Sequence, residues 1–118
     1  MPTENLSVED AGVAIGNAIA KQRKRSHLTQ EEVAEKLGVG VEAVSRIERG
    51  IVIPTVQRLL VLADIFSCDA ADLLTDASSR GQDQALKLAK LIEPLSIEDR
   101  KLVTEMVERL ATRLKMSD

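Results

Sequence analysis

The sequence predicts an all-helical fold. Apolar residues recur at intervals of three and four, as on the buried face of an α-helix, for example at Leu59, Leu62, Ala63 and Phe66. Glycine, proline and Ser/Thr capping signals divide this pattern into short segments. No segment alternates apolar and polar residues as a half-buried β-strand does. The helices follow one another without an intervening sheet.

Composition narrows the possible partners. The chain has 118 residues, 44% hydrophobic and 30% charged, which is ordinary for a soluble globular protein. Phe66 is its single aromatic residue. Proteins that bind single strands or RNA stack bases on aromatic side chains, so this class is disfavoured. The net charge is −3, yet residues 21–50 carry seven Lys or Arg against five Glu. Positive charge is therefore concentrated in one segment.

The sequence lacks the features of a membrane span, a signal peptide, a disulfide or a metal site. No apolar run approaches the roughly 20 residues of a membrane span, and the acidic N-terminus does not resemble a signal peptide. One cysteine, Cys68, forms no internal disulfide and fits the reducing cytoplasm. His27 has no Cys or His at metal-ligand spacing. We expect a cytoplasmic protein that is not an enzyme, with no metal and no cofactor.

The first helix is predicted to end near Arg25. Residues 1–10 are assigned to a tail, although Ser7 to Asp10 has the form of a capping box at which a helix could begin. Gly12 and Gly16 weaken the early part of the helix. The basic run 21–25 is either a solvated helix end or a phosphate-binding surface.

Two short helices follow. Thr29 and Glu32 have the spacing of a capping box, and Gly38 ends the helix that they begin. Gly38, Val39 and Gly40 then separate it from a helix over residues 41–49, which Gly50 closes. Two short helices joined by a three-residue glycine turn form a helix-turn-helix.

Two further helices complete this domain. Pro54 and Thr55 begin a fourth helix, and Asp69 caps a short fifth one. The domain is predicted to cover residues 11–75, and the polar segment 76–81 is a linker. Residues 82–118 contain two more helices, the second capped by Ser96.

The stretch from Ile19 to Leu74 resembles the Cro/CI-type (XRE) helix-turn-helix regulators. The matching residues are Arg23, Leu28 to Ala34, Gly38, Val44 to Gly50, Pro54, Leu59, Leu62 and Ala63. The resemblance implies a five-helix lambda-repressor-like domain. It also implies a bacterial or phage transcription regulator, associated with the nucleoid, that binds double-stranded DNA sequence-specifically.

Positions carried over from the family imply base contacts from the third helix, by Val41, Glu42 and Arg46. Arg46 would bind guanine O6 and N7, Glu42 would accept from cytosine N4, and Val41 would contact a thymine methyl. The family often has an amide or hydroxyl at the position of Glu42, so we expect this carboxylate to act mainly by rejecting wrong sites.

The resemblance and the basic run also imply contacts with the DNA backbone. These residues are Lys24, Arg25, Thr29, Gln30, Gly40, Ser45 and Arg49. Arg23 and Glu48 resemble an ion pair that ties the first helix to the third in the family. The alternative is that these two are independent surface charges.

The last helix carries a broad apolar stripe. It consists of Leu102, Val103, Met106, Val107, Leu110 and Leu114. We expect this stripe to form a homodimer. Two alternatives are an intramolecular hairpin folded onto the domain, and an antitoxin or adaptor that uses the helices to hold another protein, with or without DNA binding.

Overall fold

The computed structural model describes residues 7–116, and every regular element in that range is an α-helix. The helices are α1 (Val8–Arg25), α2 (Gln30–Leu37), α3 (Val41–Glu48), α4 (Val56–Ile65), α5 (Ala70–Ala77), α6 (Gly81–Ile92) and α7 (Ile97–Met116). The all-helical prediction is confirmed. The chain divides into two compact units, residues 1–84 and 85–118.

Side-chain caps determine where most of these helices begin. The Ser7 hydroxyl accepts from the Asp10 N–H, and Thr55 accepts in the same way from Arg58. At α2 the capping box is complete, because Thr29 accepts from the Glu32 N–H while the Glu32 carboxylate accepts from the Thr29 N–H. The hydrogen bond from the Thr29 N–H to the Glu32 carboxylate is the main cause that lowers the pKa of Glu32. Each cap satisfies backbone N–H groups that a helix leaves without a partner.

Two predicted boundaries differ from the structure. Helix α1 begins at Val8, inside the segment 1–10 that the sequence assigns to a tail, because the Ser7 cap forms there. The rest of that tail, residues 1–6, lies outside the described residues. The predicted linker 76–81 shortens to residues 78–80, because α5 continues to Ala77 and α6 begins at Gly81. Within α5, the Thr75 hydroxyl donates to the Ala71 carbonyl, so this polar residue is accommodated in the helix.

The core of the first unit joins all five of its complete helices. Its buried apolar residues are Ala18, Ile19, Val33, Ala34, Val44, Ile47, Leu59, Leu62, Ala63, Phe66 and Leu73. Helix α1 packs against α3 and α5, and α2 packs against α3 and α4. As the aliphatic composition predicts, Leu, Ile, Val and Ala supply nearly all of this core. The two short helices α2 and α3 are therefore held as one rigid pair.

The second unit contains the remainder of α6 and the whole of α7. The Arg100 guanidinium on α7 donates to the carbonyls of Ile92 and Glu93, at 3.2 and 2.7 Å, and so caps the end of α6. No residue of either helix is buried. The apolar stripe of α7 is largely exposed, with Leu102 at 56%, Met106 at 62%, Leu110 at 59% and Leu114 at 60%. This unit has no hydrophobic core of its own among its described residues.

Candidate nucleic-acid interface

The turn between α2 and α3 depends on Gly38. This residue ends α2 with φ +73°, in the left-handed region that a Cβ disfavours. Val39 then donates its N–H to the Ala34 carbonyl, and α3 begins after Gly40. Three residues, 38–40, join the two helices, as the glycine spacing predicts. This short turn keeps α2 and α3 in contact.

Helix α3 presents a polar face opposite its buried one. Val44 and Ile47 are buried, whereas Val41, Glu42 and Arg46 are exposed on the same short helix. A helix of this width fits the major groove of DNA, which is about 12 Å wide. Glu42 and Arg46, which the family resemblance assigns to base contacts, therefore lie on the face opposite the core, and Val41 is exposed at the amino end of the helix.

Arg49 and Ser45 are joined by direct hydrogen bonds. The Arg49 Nε donates to the Ser45 carbonyl at 3.3 Å and to its hydroxyl at 3.1 Å. A second nitrogen of Arg49 lies 3.8 Å from a carboxylate oxygen of Glu42. Both charged side chains are more than half exposed, so this ion pair adds little stability. The pair does place the positive charge of Arg49 beside the Glu42 carboxylate, which DNA phosphates would otherwise repel.

Arg23 and Glu48 form a bidentate ion pair across 25 positions of sequence. Arg23 Nε donates to Glu48 Oε2 at 2.7 Å, and a second guanidinium nitrogen donates to Oε1 at 3.1 Å. The side chains are only 14% and 7% exposed. The hydrogen bond to Glu48 raises the pKa of Arg23 above its ordinary value, so the arginine remains charged. The pair links α1 to the end of α3 and is not a set of independent surface charges.

Gln30 joins the same network. Its side-chain amide nitrogen donates to Glu48 Oε1 at 3.0 Å. Arg23 also donates to the Leu28 carbonyl at 2.9 Å, just before α2 begins. Glu48 thus holds side chains from both the first and second helices.

Two of these contacts were not predicted from the sequence, that of Gln30 with Glu48 and that of Arg49 with Ser45. For the second contact a signal was present, because residues 45 and 49 are one helical turn apart.

The remaining predicted backbone contacts lie around this surface. Lys24 and Arg25 are exposed in the last turn of α1, Thr29 is the N-cap of α2, and Gly40 precedes α3. A cleft beside the start of α2 is lined by Arg23, Leu28, Thr29, Gln30, Glu31 and Val41. The cleft brings the amino ends of α2 and α3 to one side of the domain. Backbone N–H groups at a helix start favour bound phosphate.

A second cleft lies beside Arg46 and contains a second cation, for which the sequence predicted no role. Arg58 on α4 lines it together with Arg46, and Val52 and Ile53 form part of its apolar wall. The position of Arg58 three residues after the Thr55 cap was the available signal, because side chains in the first turn of a helix lie near its amino end. Among residues 7–116, no group of His, Cys, Asp or Glu is arranged to hold a metal ion.

The segment that contains the helix-turn-helix matches a known protein family. A helix-turn-helix family model matches residues 19–73, the segment that contains α2, α3 and the core around them. The matched segment, just under half of the chain, is a domain of the XRE-type helix-turn-helix family. This family is one of double-stranded DNA-binding regulators.

Two individual proteins of this kind are similar to the chain. It is 28% identical over 100 residues to the cryptic phage CTXphi transcriptional repressor RstR of Vibrio cholerae serotype O1, across 84% of this chain and 88% of that protein. A solved structure of the clp gene regulator ClgR from Corynebacterium glutamicum matches with a TM-score of 0.57 and 27% identity. That match covers 70% of this chain and 90% of ClgR. Both similarities extend well beyond the helix-turn-helix itself.

Proposed function

We propose that the protein is a homodimeric transcriptional repressor that binds a palindromic operator through the major groove. One observation carries this proposal. Helix α3 exposes Val41, Glu42 and Arg46, while the Arg23–Glu48 pair and the core hold the rest of the helix in place. The similarity to a phage transcriptional repressor supports repression as the outcome of binding. Two such helices would enter successive major grooves about 34 Å apart.

Each group of side chains has a separate part in binding. Arg46 would bind a guanine through two hydrogen bonds, and Glu42 would select against bases that offer no donor. Lys24, Arg25 and Arg49 would contact phosphates and set the register of the helix without reading sequence. Gln30 keeps a second amide hydrogen available for phosphate, since its bond to Glu48 uses one of two.

Arg46→Ala is expected to weaken operator binding by about 1–3 kcal/mol and to relax the preference at one base pair. The operator is first obtained by selection from random duplexes, and binding is then measured on the operator and on random DNA. Lys24→Ala is the matched control, because a phosphate contact weakens binding to both DNAs alike. Equal losses for Arg46→Ala on the two DNAs would contradict its assignment to a base.

Deleting residues 82–118 is expected to give a monomer that binds the operator more weakly. Among residues 7–116, the buried apolar core lies within residues 18–73, so the shortened chain retains it. Mass in solution is measured by sedimentation, and operator affinity by titration. A shortened chain that stays dimeric would contradict dimerisation through the C-terminal helices.

A second candidate function is an antitoxin or adaptor that holds another protein. The observation that favours it is the uncovered apolar surface of α6 and α7, which a foreign helix could also occupy. Sedimentation of the purified full chain separates the two functions. A monomer at micromolar concentration favours the adaptor, and a dimer favours the repressor.

A further inference from the structure

One line of residues along the apolar face of α7 has opposite charges at its two ends. Asp99, Val103, Met106, Leu110 and Arg113 follow one another at alternating intervals of four and three residues. This is the interval of the contact line, or seam, between two helices of a coiled coil. Asp99 belongs to the first turn of α7 and Arg113 to its last turn. The seam is apolar in the middle, acidic at its amino end and basic at its carboxyl end.

Most of the apolar part of this seam is uncovered, and Val103 is half-buried. Met106 and Leu110 are 62% and 59% exposed, and Leu102, Val107 and Leu114 beside them are between 44% and 60% exposed. A contiguous exposed apolar surface of this kind marks an interaction site. Its 20-residue helix is about 30 Å long, enough for several layers of interlocking side chains.

We infer that the seam of α7 packs against the seam of α7 in a second copy of the chain, and that the two helices run antiparallel. The inference rests on the homodimer of the proposed function and adds its geometry. In an antiparallel pair, the Asp99 end of each helix lies against the Arg113 end of the other. Twofold symmetry makes this attraction occur twice. In a parallel pair, Asp99 would face Asp99 and Arg113 would face Arg113, and both contacts would be repulsive.

The same pattern favours a second copy over a foreign protein. Self-association through a twofold axis requires one patch that is complementary to itself. A seam with an acid at one end and a base at the other meets this requirement only in the antiparallel orientation. The charges therefore select both the partner and its direction.

Charge reversal tests the pairing. Asp99→Arg and Arg113→Asp are each expected to raise the dimer dissociation constant roughly tenfold, since symmetry repeats each new repulsion. The double variant D99R/R113D restores attraction and is expected to bring the constant back near its original value. Dissociation constants come from sedimentation of the full-length chain. In a parallel dimer each single reversal exchanges one like-charge contact for another, so neither a loss nor a rescue would occur.

Two variants control for effects on the helix itself. Glu98→Arg and Lys115→Asp make the same changes of charge in the same first and last turns, but outside the seam. They are expected to leave the dissociation constant within about twofold of the unmodified protein's. If these controls weaken the dimer as much as the seam variants do, the effect belongs to helix stability and the inference is wrong.

Cross-linking tests the direction. In a Cys68→Ala background, Ile97→Cys and Met116→Cys place a thiol near either end of α7, at positions that are each 81% exposed. The background substitution is mild, because burial raises the pKa of the Cys68 thiol and keeps it a neutral apolar group. An antiparallel dimer gives covalent product with a short bismaleimide only when the two variants are mixed and allowed to exchange. A parallel dimer gives product from each variant alone.

The outcomes separate this inference from the proposed function. Parallel cross-links with intact operator binding overturn the orientation and leave the repressor in place. A full-length chain that is monomeric at cross-linking concentrations, and gives no product in either experiment, overturns both the seam contact and the homodimer. Mixed cross-links and rescue by D99R/R113D support the antiparallel pair even if operator binding is absent.

Discussion

Gly16→Ala is expected to destabilise the first unit by about 2–3 kcal/mol, the upper range for inserting a methyl group into a well-packed site. A Cβ at this position would lie 2.5 Å from the carbonyl oxygens of both Ile47 and Glu48. These are backbone atoms of α3, so no side-chain rotation relieves the clash. Helix α1 or the end of α3 must move instead. Urea denaturation, monitored by circular dichroism, measures the loss.

The sign of the change in the free energy of unfolding distinguishes an effect of packing from an effect of helix propensity. In an unobstructed helix, replacing glycine with alanine stabilises by about 1 kcal/mol. Asn17→Ala is the control, since Asn17 is exposed in the same helix and alanine also has the higher propensity there. We expect Asn17→Ala to be neutral or stabilising. A stabilised Gly16→Ala variant would show that the close approach of α1 to α3 does not constrain the fold.

Operator binding should also respond to Gly16→Ala. The displaced carbonyls belong to the last turn of α3, and Glu48 in that turn holds Arg23 and Gln30. Binding measured at a temperature where the variant is fully folded is expected to fall. The residue contributes no side chain to DNA, so this loss would come from the altered position of α3 alone.

Glu48→Ala is expected to lower the free energy of unfolding by about 2–3 kcal/mol. Removing one partner of a largely buried ion pair leaves the other charge without compensation, which costs more than the pair itself contributes. The Arg23 guanidinium is 14% exposed and would lose two hydrogen bonds, while the Gln30 amide would lose one. The expected loss of stability is smaller than for a fully buried ion pair, because water still reaches the Arg23 side chain. Chemical denaturation at neutral pH provides the measurement.

A double-mutant cycle isolates the pair. Arg23→Ala combined with Glu48→Ala should cost less than the sum of the two single changes, because no unpaired charge remains. Glu42→Ala is the matched control, since its contact with Arg49 spans 3.8 Å between exposed groups. That change should alter stability by only a few tenths of a kcal/mol. Additive single changes would mean that Arg23 and Glu48 act independently.

Much of the fold could be predicted because its signals are local. The capping box at Thr29 and Glu32 involves residues three apart, and Gly38 ends α2 through its own backbone conformation. Thr55 and Ser96 likewise cap the helices that follow them. Such interactions form within one turn of chain, so spacing alone identifies them. Errors of a few residues arose where composition suggested a loop, as at residues 76 and 77, which the structure places in α5.

The exposed face of α3 was predictable for a similar reason. Burial of Val44 and Ile47 leaves Glu42 and Arg46 on the opposite side of a short helix, and Val41 is exposed at its amino end. Their roles toward individual bases remain predictions from the family resemblance. Arg58 was not predicted, because its place beside Arg46 depends on how the loop after α3 directs α4.

The sequence by itself determined the helices, the caps at Thr29, Thr55 and Ser96, the glycine turn and the polar face of α3, because each depends on residues within one or two turns. The expected cap at Asp69 was wrong, since that side chain makes no cap hydrogen bond to α5. Only the tertiary structure showed why position 16 needs a glycine and which residue Gln30 contacts. From sequence, Gly16 is a weak point of a helix; in the fold, it allows two backbones to touch. Gln30 meets Glu48 across 18 residues, a contact that exists only after α1, α2 and α3 have packed around one core. Contacts between distant residues depend on that packing, and no local spacing specifies them.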